Sequence, residues 1–140
     1  MTSETAFARR LADTVLARLR ADGGPAWSVL EIKVAENKIP PLRDSGNVKS
    51  LSITIGDASS PEYPVGVHFT IGVPLIDAII ATTEQIQEHM LEATRGALLP
   101  ACPGHQHPLQ VAERDEVAIW VCPRDPAHYA EPVLPQDTTG

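Results

Sequence analysis

The first predicted element is an amphipathic helix over residues 4–21. Apolar side chains recur every four residues there, which places them on one face of a helix with about 3.6 residues per turn. This apolar stripe consists of Phe7, Leu11, Val15 and Leu19. Gly23-Gly24-Pro25 contains the residue types that most often end a helix, so we expect the helix to stop before it.

Three segments follow in which apolar and polar residues alternate, at residues 27–34, 48–55 and 65–71. In the first of them, Leu30, Ile32 and Val34 alternate with Glu31 and Lys33. Such alternation predicts strands that each bury one face. The connection at 35–47 contains two consecutive prolines and is predicted to be a loop. Because the connections are too short for helical crossovers, we predict an antiparallel sheet.

A second, longer helix is predicted over residues 74–96, with Pro74 in the first helical position. Its apolar stripe consists of Ile76, Ile79, Ile80, Thr83, Ile86, Met90, Ala93 and Ala97. This stripe is longer than a three-stranded sheet can cover. We therefore expect part of it to pack against a second copy of the chain in a homodimer.

The pattern changes at Leu99-Pro100, after which proline, cysteine and histidine become frequent. Two short apolar runs, residues 109–112 and 117–121, flank the polar stretch Glu113-Arg114-Asp115-Glu116. This arrangement predicts a β-hairpin. A two-stranded hairpin alone is only marginally stable in water, so the sequence around it should supply a brace.

The size and charge of the chain exclude several classes of protein. It has 140 residues and a net charge of −7, and residues 49–140 carry four basic and twelve acidic side chains. Nucleic-acid binding needs a basic stripe, which is absent, and no apolar run approaches the roughly 20 residues of a membrane span. The first residues lack the pattern of a secretory signal. We expect a cytoplasmic protein with no nucleic-acid or membrane partner, and eight arginines against three lysines favour a bacterial source.

The two cysteines, Cys102 and Cys122, flank the predicted hairpin, and each is followed by proline. A hairpin brings its two ends together, so the two Cys-Pro turns should lie side by side. Three of the five histidines, His105, His107 and His128, lie in the same stretch. Zinc binds four cysteine or histidine ligands in a tetrahedron, and short turns supply such ligands in pairs. Cys102 with His105, and Cys122 with His128, are therefore predicted to form a Cys2His2 zinc site.

This stretch resembles zinc ribbon domains, in which two Cys-Pro-x-Cys turns lie at the ends of a β-hairpin. Cys102-Pro103-Gly104-His105 matches one such turn with histidine in the fourth place. Cys122-Pro123-Arg124-Asp125 matches the other only if Asp125 replaces its second cysteine. We favour His128 there, because a carboxylate suits a soft site less well, and keep His107 and Asp125 as alternate ligands. The resemblance covers the hairpin and its flanks, and no family is recognised for the full chain.

The combined prediction is an α+β fold. It has an N-terminal helix, a three-stranded antiparallel sheet, a long second helix and a C-terminal zinc-ribbon-like β-hairpin. Residues 1–98 are expected to form the α-β-β-β-α core domain, residues 99–130 the metal-braced hairpin, and residues 131–140 a flexible tail.

Two other interpretations of the cysteines remain open. They could form a disulfide across the hairpin ends, although a reducing compartment disfavours one. They could also lie with the histidines in ordinary turns and bind nothing. The zinc-enzyme motif HExxH and the deaminase pattern H-x-E followed by P-C-x-x-C are absent from the sequence. A structural zinc ion fits the residue pattern best.

Two classes of function fit these features. The first is a non-enzymatic protein-interaction or assembly module, an accessory or adaptor component of a bacterial or phage multi-protein assembly, with protein partners and a structural zinc. The alternative is a small zinc-dependent hydrolase with His107 or Asp125 beside an open metal position. A closed shell of four protein ligands favours the module, whereas three ligands and an open position favour the hydrolase.

Overall fold

The computed structural model describes residues 3–19, 27–35, 49–57, 60–93, 99–125 and 127–134. Its elements in chain order are α1 (Ser3–Arg18), β1 (Trp27–Ala35), β2 (Lys49–Asp57), β3 (Ser60–Ile71), α2 (Leu75–Ala93), β4 (Gln110–Arg114), β5 (Val117–Val121) and β6 (Ala130–Pro132). The α+β prediction is confirmed to this extent: a helix, a three-stranded antiparallel sheet, a second helix and a further small sheet. Most of the predicted loop at 35–47, the end of the second predicted helix and the tail beyond residue 134 lie outside the described residues.

The N-terminal sheet has the strand order β1-β2-β3, with both pairs antiparallel. Ile53 of the central strand pairs with Ile32 on one side and Val67 on the other. Because side chains alternate between faces, the apolar residues of β2 and β3 share one side of the sheet, where Leu51, Ile53, Ile55, Val67 and Phe69 are buried. Both helices pack on that side, since their apolar residues and those of the sheet form one core.

A β-bulge in β1 changes which face Leu30 occupies. The pairing register shifts between Val29 and Glu31, which leaves Leu30 as an extra residue. A Cβ atom on Gly56 would lie 2.8 Å from Cδ1 of Leu30, so Leu30 covers the outer face at a position only glycine allows. The uninterrupted alternation expected for this strand is therefore wrong at Leu30, whose side chain is 40% exposed.

Helix α2 packs against α1, the N-terminal sheet and the C-terminal strands. Its buried residues are Ala78, Ile79, Thr82, Thr83, Ile86, Gln87 and Met90. These positions of the apolar stripe are covered within the chain, whereas Ile76 and Ile80 are only half-buried, and the homodimer stays a prediction.

One side chain of α2 closes an edge of the N-terminal sheet. The backbone N–H of His68 in β3 donates to Oε1 of Gln85, and Nε2 of Gln85 donates to the carbonyl of His68, both at 2.9 Å. The hydroxyl of Thr82 also donates to this carbonyl, at 3.2 Å. An amide side chain therefore takes the place that a neighbouring strand would occupy.

The C-terminal sheet has the order β4-β5-β6, so the predicted hairpin is joined by a third strand. Strand β6 lies where the predicted hairpin meets the predicted tail. It is held by its pairing with β5 and by an ion pair of 2.6 Å between Arg18 of α1 and Glu131. Its three residues include Pro132 and show no apolar alternation, which explains why the sequence pattern gave no sign of it.

The two sheets share one hydrophobic core. Leu109, Val111 and Trp120 of the C-terminal part belong to the same buried cluster as the helices. Buried Gln87 of α2 links the parts as well, because its Nε2 donates to the carbonyls of Leu99 at 3.0 Å and Leu109 at 2.7 Å. Within the described residues, no helix is long and apolar enough to cross a membrane.

Candidate metal centre

A closed loop before β4 carries three of the predicted ligands. Ala101 and Pro108 form a β-bridge at its base, and the N–H of Cys102 donates to the carbonyl of His107 at 3.1 Å. The chain therefore turns back on itself within eight residues. Cys102, His105 and His107 consequently lie on one small loop.

The tip of this loop is a tight turn encoded by its sequence. The N–H of His105 donates to the carbonyl of Cys102 at 3.2 Å, which closes a four-residue β-turn. Gly104 has a φ angle of 80°, the left-handed value that the third position of a type II turn requires, and proline is favoured at the second position. Pro103 and Gly104 therefore set the turn that brings Cys102 and His105 to the same side.

The fourth group comes from the end of β5. The N–H of Cys122 donates to the carbonyl of Tyr129 at 3.1 Å, which continues the β5–β6 ladder by one residue. Gln110 pairs with Val121, so the start of β4 and the end of β5 lie side by side. The hairpin thereby brings Cys122 next to the loop that holds Cys102, as the sequence predicted.

Cys102, His105, His107 and Cys122 form a compact group whose potential ligand atoms all lie within 4.8 Å of one another. Nδ1 of His105 lies 3.5 Å from the Sγ atoms of both Cys102 and Cys122. Nε2 of His107 lies 3.9 Å from Sγ of Cys122. Both cysteines are free thiols and are buried. Four donor atoms in this arrangement could hold one metal ion.

The protonation of His107 is suited to metal binding. Its Nδ1 lies 3.1 Å from the carbonyl oxygen of Pro108, which can only accept a hydrogen bond. The proton is therefore assigned to Nδ1, and the lone pair of Nε2 faces Cys122. A carbonyl that fixes the outer nitrogen in this way is the usual partner of a metal-binding histidine.

Burial and neighbouring groups shift the pKa values at the site. Burial raises the pKa of the Cys102 thiol, and Cys122 raises it further through a hydrogen bond and its charge. Burial also lowers the pKa of His105; the neighbouring His128, His107 and Arg124 lower this pKa further, and Asp125 opposes them. His105 is therefore neutral at pH 7, which is the form of imidazole that binds metals.

The structure places His128 beside this group, in a different role. Nε2 of His128 lies 2.5 Å from the carbonyl oxygen of Pro103, so it donates a hydrogen bond there. The His128 ring packs against that of His105, with centroids 4.4 Å apart and ring planes tilted by 32°. Asp125 is exposed, and its Oδ1 accepts a hydrogen bond from the N–H of Ala127 at 3.0 Å. Neither side chain belongs to the four-residue group.

The four grouped residues thus include His107, which the sequence offered only as an alternate ligand. The zinc ribbon resemblance implies two ligands from each Cys-Pro turn, whereas here three come from the first loop and one from the end of β5. The sequence does contain a signal for His107, since it lies two residues from His105 within the same short loop. The prediction took one cysteine and one histidine from each Cys-Pro turn and therefore left His107 out.

Comparison with protein-family models, with curated proteins and with solved structures finds no match for this chain. Fold and site together define an α+β protein with a candidate Cys2His2 metal centre.

Proposed function

We propose that this protein is a non-enzymatic interaction module whose C-terminal sheet is braced by one structural zinc ion. The observation that carries the proposal is the convergence of two thiols and two imidazoles at the open end of the β4–β5 hairpin. The ion ties the loop before β4 to the end of β5. It thereby fixes the open end of the hairpin, next to the core that Val111 and Trp120 share with the helices.

The spacing of the donor atoms supports zinc. Zinc–sulfur and zinc–nitrogen bonds arranged in a tetrahedron place sulfur and nitrogen ligands about 3.6 Å apart. Three of the four sulfur–nitrogen distances at the site are 3.5, 3.5 and 3.9 Å, and the fourth, between Cys102 and His107, is within 4.8 Å. Two thiolates also balance the double charge of the ion, so the loaded site is neutral, and mixed cysteine and histidine ligation suits zinc better than magnesium or calcium.

Four candidate protein ligands, enough to fill a tetrahedral shell, support a structural rather than a catalytic role. Catalytic zinc ions usually keep one position for water, with three protein ligands. The alternative of a small hydrolase needs His107 or Asp125 as a free base beside an open position. His107 is instead one of the four grouped residues, and Asp125 is engaged with the Ala127 amide.

The proposed setting is a reducing compartment such as the cytoplasm, since the thiols must remain reduced to bind the ion. Protein partners, a second copy of the chain among them, and a role in a larger assembly also belong to this proposal. The acidic character of the chain and the absence of zinc-enzyme motifs from its sequence support it.

Metal analysis of the full chain tests the brace. Protein purified without added metal, and without a metal-binding tag, should contain about one zinc per chain by elemental analysis. Cobalt substitution should give the spectrum of a tetrahedral site with thiolate ligands. A zinc content below about a tenth of an equivalent, with both thiols reacting freely, contradicts the proposal.

A further inference from the structure

An apolar groove lies between the start of α2 and the β4–β5 hairpin, on residues that the metal centre does not use. Its volume is about 310 Å³. The apolar side chains that line it are Leu75, Ile76, Ile79, Val117, Ala118 and Leu134. Leu75 is 56% exposed and the nearby Val73 is 39% exposed. A groove at this small end of the range for ligand pockets fits one or two large side chains rather than a cofactor.

The charged side chain that lines the groove is acidic, and further carboxylates lie on the same two elements, α2 and the hairpin. Glu116 lines the groove directly, and Glu113 and Asp115 lie on the same hairpin. Asp77 adds an exposed carboxylate in the first turn of α2. Arg114 is the one basic residue in this set, so carboxylates outnumber cations by four to one. An apolar floor with a negative rim complements a segment that is both apolar and basic.

Two of these acidic residues, Asp115 and Glu116, form the hairpin turn and adopt a strained backbone conformation there. Arg114 pairs with Val117, so Asp115 and Glu116 form a two-residue loop, and their φ angles are 51° and 63°. Two positive φ angles define a type I′ turn, in which glycine is strongly preferred. Glutamate is strained in the left-handed region because of its Cβ atom. Glycine at position 116 would make the turn more stable. Glutamate there instead places a negative charge at the edge of the groove.

We propose that this groove binds a basic amphipathic segment of a partner protein. One or two large apolar side chains of the segment insert between α2 and β5, and its lysine or arginine residues face Glu116, Asp115 and Asp77. A helical segment that binds such a groove inserts apolar side chains that are three or four residues apart in its sequence. The inference rests on the proposed function as an interaction module and names the surface and the chemistry of the partner.

The test uses the zinc-loaded full chain and a synthetic helical peptide with two leucines four residues apart, flanked by lysines. Fluorescence anisotropy should show saturable binding that weakens as salt is raised. A peptide with glutamate in place of each lysine should bind at least about tenfold more weakly, because like charges then meet at the rim.

Three variants of the chain assign the binding to the groove. Leu75→Ser should abolish binding, and Glu116→Gln should weaken it while keeping the size of the side chain. Leu30→Ser is the matched control, because Leu30 is also an exposed leucine but lies on the outer face of the N-terminal sheet. Binding by this control should equal that of the unaltered chain.

Equal binding of the two peptides, or full binding by Leu75→Ser, overturns the inference. So does a dimer that Leu75→Ser converts to a monomer in light scattering, because the groove is then occupied by a second copy. Zinc content is measured on the same samples. Normal zinc without peptide binding overturns the groove and leaves the brace, whereas peptide binding without zinc overturns the brace and leaves the groove.

Discussion

His107 and His128 are the same residue type in one neighbourhood, and the contacts of their ring nitrogens separate them. In His107 a carbonyl holds Nδ1, and Nε2 faces a cysteine sulfur. In His128 it is Nε2 that bonds to the carbonyl of Pro103. The first arrangement directs a lone pair at the metal position, and the second supports the turn around it.

Alanine substitution at these two histidines tests this difference. We expect His107→Ala to weaken zinc binding more than about 100-fold, because a ligand is lost, and His128→Ala to weaken it about tenfold, as expected for a residue that supports ligands. Competition with a chelator measures both affinities. The reverse order would restore the ligand set with His128 that the sequence favours.

Glu116 offers a test of strain at a single residue. We expect Glu116→Gly to stabilise the chain by roughly 0.5–1 kcal/mol, since left-handed backbone costs an L-residue about 1–2 kcal/mol and glycine gives back about 0.5–1 in chain entropy. The melting temperature should rise by about 2 °C. Glu113→Gly is the matched control. Because Glu113 lies in a strand, this substitution should destabilise the chain by a similar amount.

At the scale of elements, alternation and helical periodicity were enough to predict both helices and five of the six strands. Both signals are local, because they come from residues close together in the sequence. Leu30 and β6 are two features that these local signals did not predict. The bulge between Val29 and Glu31 turns Leu30 to the outer face beside Gly56, and β6 is held by β5 and Arg18. Such contacts between distant residues leave no period in the sequence.

The candidate metal site could likewise be predicted only in part. Both cysteines and His105 could be predicted, because a hairpin must bring its own ends together. The grouping of His107 depends on the bridge between Ala101 and Pro108, which a pattern of ligand types does not reveal.

Gln85 and Gln87 lie about half a turn apart on α2 and allow a matched comparison of an exposed and a buried polar contact. Gln87→Leu should destabilise the chain by about 1–3 kcal/mol, because the buried carbonyls of Leu99 and Leu109 lose their side-chain donor. Gln85→Leu should cost less than about 1 kcal/mol, since water can reach the exposed His68 backbone in its place. Urea unfolding measures both, and equal losses would contradict the distinction.

At the scale of the whole molecule, the proposed zinc ion stabilises one part more than the other. Zinc binding contributes on the order of 10 kcal/mol to the folding of isolated zinc peptides. We expect Cys122→Ser, or removal of the metal by a chelator, to raise hydrogen exchange sharply across residues 100–128. Strands β1 and β2 should change little, because their buried residues pack on the helices.

The outcome also measures how far the two parts depend on each other. Gln87 and the Arg18–Glu131 ion pair connect the C-terminal sheet to both helices. Loss of protection over the whole chain would show that these contacts make it a single cooperative unit, and the predicted division at residue 98 would then be wrong.

By taking up both backbone groups of His68, Gln85 leaves the N-terminal sheet with unequal edges. A sheet with two open edges can add strands from copy after copy and grow into a fibre. Among the residues described, β1 is paired on one side only, while the β3 edge is occupied at His68. At His68 the β3 edge offers no free backbone group to a further strand, so strand addition is disfavoured at that point of the edge.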